Sequence, residues 1–105
     1  MTWTAYEIPL ISHPQQLTVT LAGTAYQMTV RWNAALATWM LDIANQNGSP
    51  LVQGIPLLTG RDLLSQYKYL GIGGKLVVQT DQNAYALPTA TNLGTDSHLY
   101  FLVSS

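Results

Sequence analysis

The side chains able to move a proton, hold a metal or grip a phosphate are few in this sequence, and they are spread out. His13 sits before a proline in a turn-forming run, and His98 opens an apolar stretch with Asp96 two residues before it. Neither histidine has a nucleophile spaced to join it, so both read as surface or hydrogen-bonding residues rather than catalytic or metal-binding ones. The five carboxylates fall about one to a segment and form no acid–base pair. Asp81-Gln82-Asn83 has the opening of a calcium loop, but Ala86 and Asn92 stand where that loop requires Gly and Glu. Gly71, Gly73, Gly74 and Lys75 resemble a phosphate-binding cluster only superficially. The motif needs a glycine at 69 and a hydroxyl residue at 76, and those positions are Tyr and Leu. A tight hairpin turn is the reading of this cluster. Catalytic residues, cofactors and metals are therefore all expected to be none.

Positioning falls to elements whose periodicity is mostly two. Gln16 to Leu21 alternates Leu17, Val19 and Leu21 against Gln16, Thr18 and Thr20, the pattern of a half-buried strand. A loop at Ala22-Gly23-Thr24 returns the chain into Tyr26, Met28, Val30 and Trp32, alternating with Gln27, Thr29 and Arg31. These two runs predict an antiparallel hairpin. A turn at Asn33 to Leu36 leads to a third run, Thr38 to Ile43, and Asn45 to Gly48 carries the favoured Asn-Gly turn pair. The run from Leu51 to Leu58 is broken by Gly54 and Pro56 and preceded by Pro50. It must therefore lie on an edge, be bulged, or keep its prolines at its ends. Gln16 to Leu58 thus reads as a four-stranded meander.

Outside the meander, Trp3 to Leu10 is a strand with edge character from Pro9. Thr59 is placed to cap a helical turn or wide loop over Gly60 to Ser65, with Asp62 in the capping position. Tyr67, Tyr69 and Leu70 form a β-prone run, and Leu76 to Val78 a short strand. Asp81 to Asp96 is a long polar loop, of the kind that contacts partners. His98 to Val103 is apolar on both faces, which predicts a central strand or one covered by a neighbouring subunit. The fold class is mostly β: a single small antiparallel sandwich or barrel-like domain over 1–105, with at most one short helical turn.

Composition narrows the function further. Four basic and five acidic residues make 9% of the chain, against about 25% in ordinary soluble domains. A surface built of Thr, Gln, Asn and Ser suits burial in a larger assembly. Arg31, Arg61, Lys68 and Lys75 are too scattered for nucleic acid. No apolar run approaches the roughly 18 residues that cross a bilayer, so no membrane partner is expected. The absence of cysteine fits an intracellular birthplace. Tyr67, Tyr69 and Ile72 concentrate apolar area beside glycines, while Asn83, Tyr85 and Asn92 offer neutral polar groups. These six are the candidate interface residues, the first three as core and the others as rim. Trp3, Trp32, Trp39 and the tyrosines leave open a small carbohydrate- or peptide-binding β module as the alternative.

The order of segments adds a resemblance. Gly23 in a turn, Leu41-Asp42 in a strand, Pro50 to Gly54, Leu63 to Tyr67, the Tyr69-Leu70-Gly71 step and a late Leu93-Gly94-Thr95 before the last aliphatic strand follow one another as in a known family. In this succession the sequence resembles the small baseplate plug proteins of contractile-tailed phages, the cyanophage type. The resemblance implies a non-enzymatic virion component at the tail axis, made in the host cytoplasm. It implies as partners copies of itself and the baseplate hub, spike or tail-tube proteins.

Overall fold

The alternating runs become strands in a computed structural model that describes residues 3–83 and 86–104. Strands β2 (Gln15–Leu21), β3 (Thr24–Asn33), β4 (Thr38–Asn45) and β5 (Pro50–Pro56) form the expected antiparallel meander, in the order β2-β3-β4-β5. Strands β1 (Trp3–Ile8), β6 (Lys75–Thr80) and β7 (Ser97–Ser104) make a second antiparallel sheet, ordered β1-β7-β6. The doubly apolar β7 is its central strand.

One core is shared by the two sheets, which makes the architecture a sandwich. The meander contributes Met28 and Val30 from β3, Trp39, Leu41 and Ile43 from β4, and Ile55 from β5. The other sheet answers with Leu76 and Val78 of β6 and Leu99 and Phe101 of β7. Trp39 is buried edge-to-face against Trp32, their ring centroids 5.3 Å apart, and its indole N–H donates to the carbonyl of Thr89 at 2.8 Å. That bond satisfies the one polar group of the ring and pins the 81–96 loop to the core. Total accessible surface is 5955 Å², close to the roughly 5,800 Å² expected of a monomer of this mass.

β5 has all three features its prolines suggested: it is an edge strand, Pro50 and Pro56 end it, and its register against β4 shifts twice. Gly54, at φ 78°, takes the left-handed conformation that the irregularity requires. The Asp42 carboxylate accepts its N–H at 2.7 Å. Asp42 also takes two bonds from Arg31, at 3.1 and 3.3 Å, so one side chain ties three strands on the outer face.

The connection from β5 to β6 takes the wide-loop form of the two expected. Gly60 to Ser65 is a series of bends and turns without helix, and Thr59 forms a parallel bridge with Val78. Asp62 receives N–H bonds from Leu64 at 2.9 Å and Leu76 at 3.1 Å, and Leu63 donates to the Leu76 carbonyl at 2.7 Å. Residues 59–64 are thus held against the free edge of β6, where main-chain pairing outcompetes a lone helical turn. Among the described residues the single short helix lies at Lys68–Leu70, a 3₁₀ turn closed by left-handed Gly71. The β-prone Tyr67, Tyr69 and Leu70 find no strand to pair with, because that edge is already occupied. The glycine cluster accordingly links this turn to β6 and makes no hairpin. At the β4–β5 turn, Gly48 donates to the Asn45 carbonyl at 2.9 Å with φ 88°. The loop has three residues closed by a left-handed glycine, one longer than an Asn-Gly pair alone would make.

Candidate functional site

The outer face of the three-stranded sheet gathers most of what the sequence offers for recognition. Alternation along β1 sends Trp3, Ala5 and Glu7 outward; β7 adds His98, Tyr100 and Leu102, and β6 adds Lys75, Val77 and Gln79. β7 therefore owes its second apolar face to a surface that nothing within the sandwich covers. Trp3 is 44% exposed, and the Lys75 ammonium lies 4.4 Å from the centre of its ring. A cation over an indole is worth about 0.5–1 kcal/mol at an exposed site.

At the other end of this face His98 lies between two carboxylates. Its Nδ1 is 2.7 Å from Glu7 Oε2, and its Nε2 is 3.2 Å from Asp81 Oδ2. β1 pairing with β7 brings in Glu7, and the turn after β6 brings in Asp81, neither of which is near His98 in sequence. The Glu7 hydrogen bond raises the His98 pKa above its usual value; burial opposes the rise, and Asp81 adds to it. Burial and the same two carboxylates raise Tyr100. With each ring nitrogen directed at a carboxylate, protonated His98 donates twice and has no lone pair left for a metal or a substrate proton. The cluster suits a clamp joining β1, β7 and the 81–96 loop. Among the described residues no set of three or more His, Cys, Asp or Glu side chains has metal-site geometry.

The six candidate interface residues divide around this face. Tyr67 precedes the 3₁₀ turn and Tyr69 lies within it, their ring centroids 6.5 Å apart, and Tyr69 is 79% exposed. A hollow of about 350 Å³ runs from Tyr67 and Lys68 to Trp3 and Lys75, so the tyrosine step is continuous with the sheet face. Beside it, Trp3, Lys75, Val77 and Leu102 line a depression of about 460 Å³. Asn83 and Asn92 border a hollow of about 190 Å³ with Thr80 and Asp96, at the end of β6 remote from Lys75. Asn92 is also a hub of its own loop: its side chain accepts the Thr89 N–H at 2.7 Å and its carbonyl accepts from residues 95, 96 and 97. Ile72 is only 4% exposed and packs in the core. Tyr85 lies outside the described residues.

Sequence reasoning missed Trp3, Lys75, Glu7 and Asp81 as members of this surface. Each is brought there by pairing β1 with β7 and β7 with β6, and no local pattern specifies that pairing. The sugar-binding alternative needed tryptophans on one accessible face, and the structure separates them. Trp39 is 2% exposed in the core with Trp32 against it, while Trp3 lies on the outer sheet face.

The family model described as cyanophage baseplate Pam3 plug gp18 matches the chain over residues 5–104. No curated protein matches it.

Proposed function

The chain belongs to the cyanophage baseplate plug family and is a structural component of the phage tail baseplate; from that premise we propose that it closes the tail at its axis, without catalysis, by contact with copies of itself and with hub, spike or tail-tube proteins. The observation that carries this reading is the extent of the match. Residues 5–104 take in both sheets and the segment between them, so the sandwich as a whole is the family's unit.

The outer face of the three-stranded sheet is the contact surface in this proposal. Trp3, Val77, Tyr100 and Leu102 supply its apolar area, Tyr67 and Tyr69 extend it at one end, and Asn83 and Asn92 join the Glu7–His98–Asp81 cluster in a polar rim at the other. An apolar centre and a polar rim are the anatomy of a protein interface. Repetition of one such contact around an axis turns weak pairwise contacts into a stable ring or plug.

The test is co-purification. The chain is expected in isolated tails by mass spectrometry, and expected to elute with a co-expressed hub protein in light scattering after size exclusion. Tyr67→Ala with Tyr69→Ala should weaken that association by about 2 kcal/mol or more if the step is a hot spot. A chain absent from tails, monomeric and indifferent to the hub would refute the proposal.

A further inference from the structure

The sandwich is laced shut at β5 and β6 by Thr59 and residues 62–64, but at its opposite side β1 and β2 both end their sheets and face a common groove of about 490 Å³. Core-directed residues remain uncovered there. Tyr6 occupies the inward alternation of β1, directly opposite buried Phe101, and is nevertheless 58% exposed. Leu17 and Val19 on the inward side of β2 are only partly buried, whereas Met28 and Val30 on the next strand are fully buried.

The main chain of β2 is equally open. Its hairpin to β3 turns on two residues, Ala22 at φ 50° and Gly23 at φ 85°, with Leu21 opposite Thr24. Positive φ at both positions is a type I′ turn, which closes on a hydrogen-bonded pair. Bonded and non-bonded pairs alternate from there along an antiparallel ladder. Leu21, Val19 and Leu17 therefore bond to β3, while Thr20, Thr18 and Gln16 direct their N–H and C=O groups away from it. A strand with no proline, glycine or charge over Gln16–Leu21 has none of the devices that keep an edge from pairing.

We propose that β2 is a docking edge for an extended strand of another protein, which pairs with the outward groups of Gln16, Thr18 and Thr20 and seats alternate apolar side chains in the groove beside Tyr6 and Val19. Strand addition draws its affinity from main-chain bonds and its selectivity from the pockets for alternate side chains. Among the described residues no strand is free for the place, since β1 to β7 are each paired within their own sheets. Charge narrows the occupant. Glu7 is the one charged residue in the lining, and its carboxylate is already held by His98 on the outer sheet face, so the strand that fits bears neutral side chains towards the groove.

The proposal rests on the baseplate reading for where the occupant is found, and hydrogen exchange of purified tails against the isolated chain tests the two separately. The Thr18 and Thr20 amides are expected to exchange at least about 100-fold more slowly in tails than in the free chain. Thr18→Pro with Thr20→Pro removes two outward donors and leaves the β2–β3 ladder intact; it should keep the melting transition and lose incorporation into tails. Equal exchange in tails and free chain, with the protein present in the tails, overturns the strand proposal and leaves the plug reading standing. Absence of the protein from tails overturns the plug reading itself, and this proposal with it. Protection that grows with the concentration of the isolated chain would make the occupant a second copy and overturn the choice of another protein.

Discussion

At one edge of the four-stranded sheet β5 begins and ends in proline, bends at left-handed Gly54 and shifts register twice against β4. At the other edge Gln16–Leu21 of β2 alternates without interruption and carries no charge. Both strands flank the same pair, β3 and β4, so fold stability does not account for the contrast. A proline or a bulge costs ladder bonds, and an edge that keeps its bonds available retains the capacity to use them. The lesson is that edges can be read for intent: β5 is finished within the chain, and β2 is left to be finished by something outside it.

The most damaging test removes the support that the two edges share. Val30 is fully buried on β3, paired with Leu41 on one side and Gln15 on the other. Val30→Asp buries an unpaired charge at a cost of several kcal/mol, comparable with the roughly 5–15 kcal/mol stability of a domain. The variant is expected to be unfolded or insoluble; a melting temperature within a few degrees of the parent would contradict the register of β3.

A smaller effect separates the edges from each other. Gly54→Ala forces an L-residue to φ 78°, where the left-handed conformation costs about 1–2 kcal/mol. The transition should fall by roughly 4–8 °C for each kcal/mol in a domain of this size. Thr18→Ala on the opposite edge should stay within about 0.5 kcal/mol of the parent, as an exposed substitution does. Equal losses in calorimetry would erase the distinction between a shaped edge and an open one.

Titration sharpens the comparison more gently. Burial pushes the Asp42 carboxyl up, but the hydrogen bonds from Arg31 and the Gly54 N–H, with the Arg31 charge, outweigh it and leave the pKa below the ordinary 3.8. A depressed carboxylate contributes stability that is present above its unfolded pKa and is lost as pH falls through the folded one. Asp42→Asn should therefore flatten the acid limb of a melting-temperature profile. His98 has the opposite sign. Its raised pKa contributes stability that is complete below the ordinary 6.5 and disappears as pH climbs through the higher folded value. His98→Gln should abolish the alkaline-side decline and leave the acid limb unchanged. The smallest change is Thr18→Lys, which should leave the melt unmoved while slowing aggregation of the isolated chain in light scattering, since an edge lysine blocks pairing.

What could be read from the sequence was what neighbouring residues decide together. Leu17, Val19 and Leu21 against Thr18 and Thr20 declared β2, and the prolines of β5 its place at an edge; the loop read at Ala22-Gly23-Thr24 tightens to two residues, Thr24 pairing with Leu21. His98 to Val103, apolar on both faces, announced a central strand. The misreadings share one cause, a partner far along the chain. Tyr67 to Leu70 has strand propensity, but the β6 edge it would need is occupied by residues 59–63. Ile72 stands among glycines like an exposed residue, yet the core claims it. The partners of His98 could not be found within its own segment, since Glu7 is 91 residues away. Propensity and alternation describe a strand; they do not say which strand lies beside it.

That long separation also sets an order of events. The meander closes through turns of a few residues, whereas β1 pairs only with β7, so the three-stranded sheet cannot be completed until the last strand has been synthesised. Local contacts form fast and distant ones slowly, and the meander is expected to be the early unit of folding. Pulse-labelled exchange should find Met28 and Leu41 amides protected before those of Tyr6 and Tyr100. A chain emerging from the ribosome would then carry β1 unpaired while the whole meander and β6 are made, until the strand that anchors it follows.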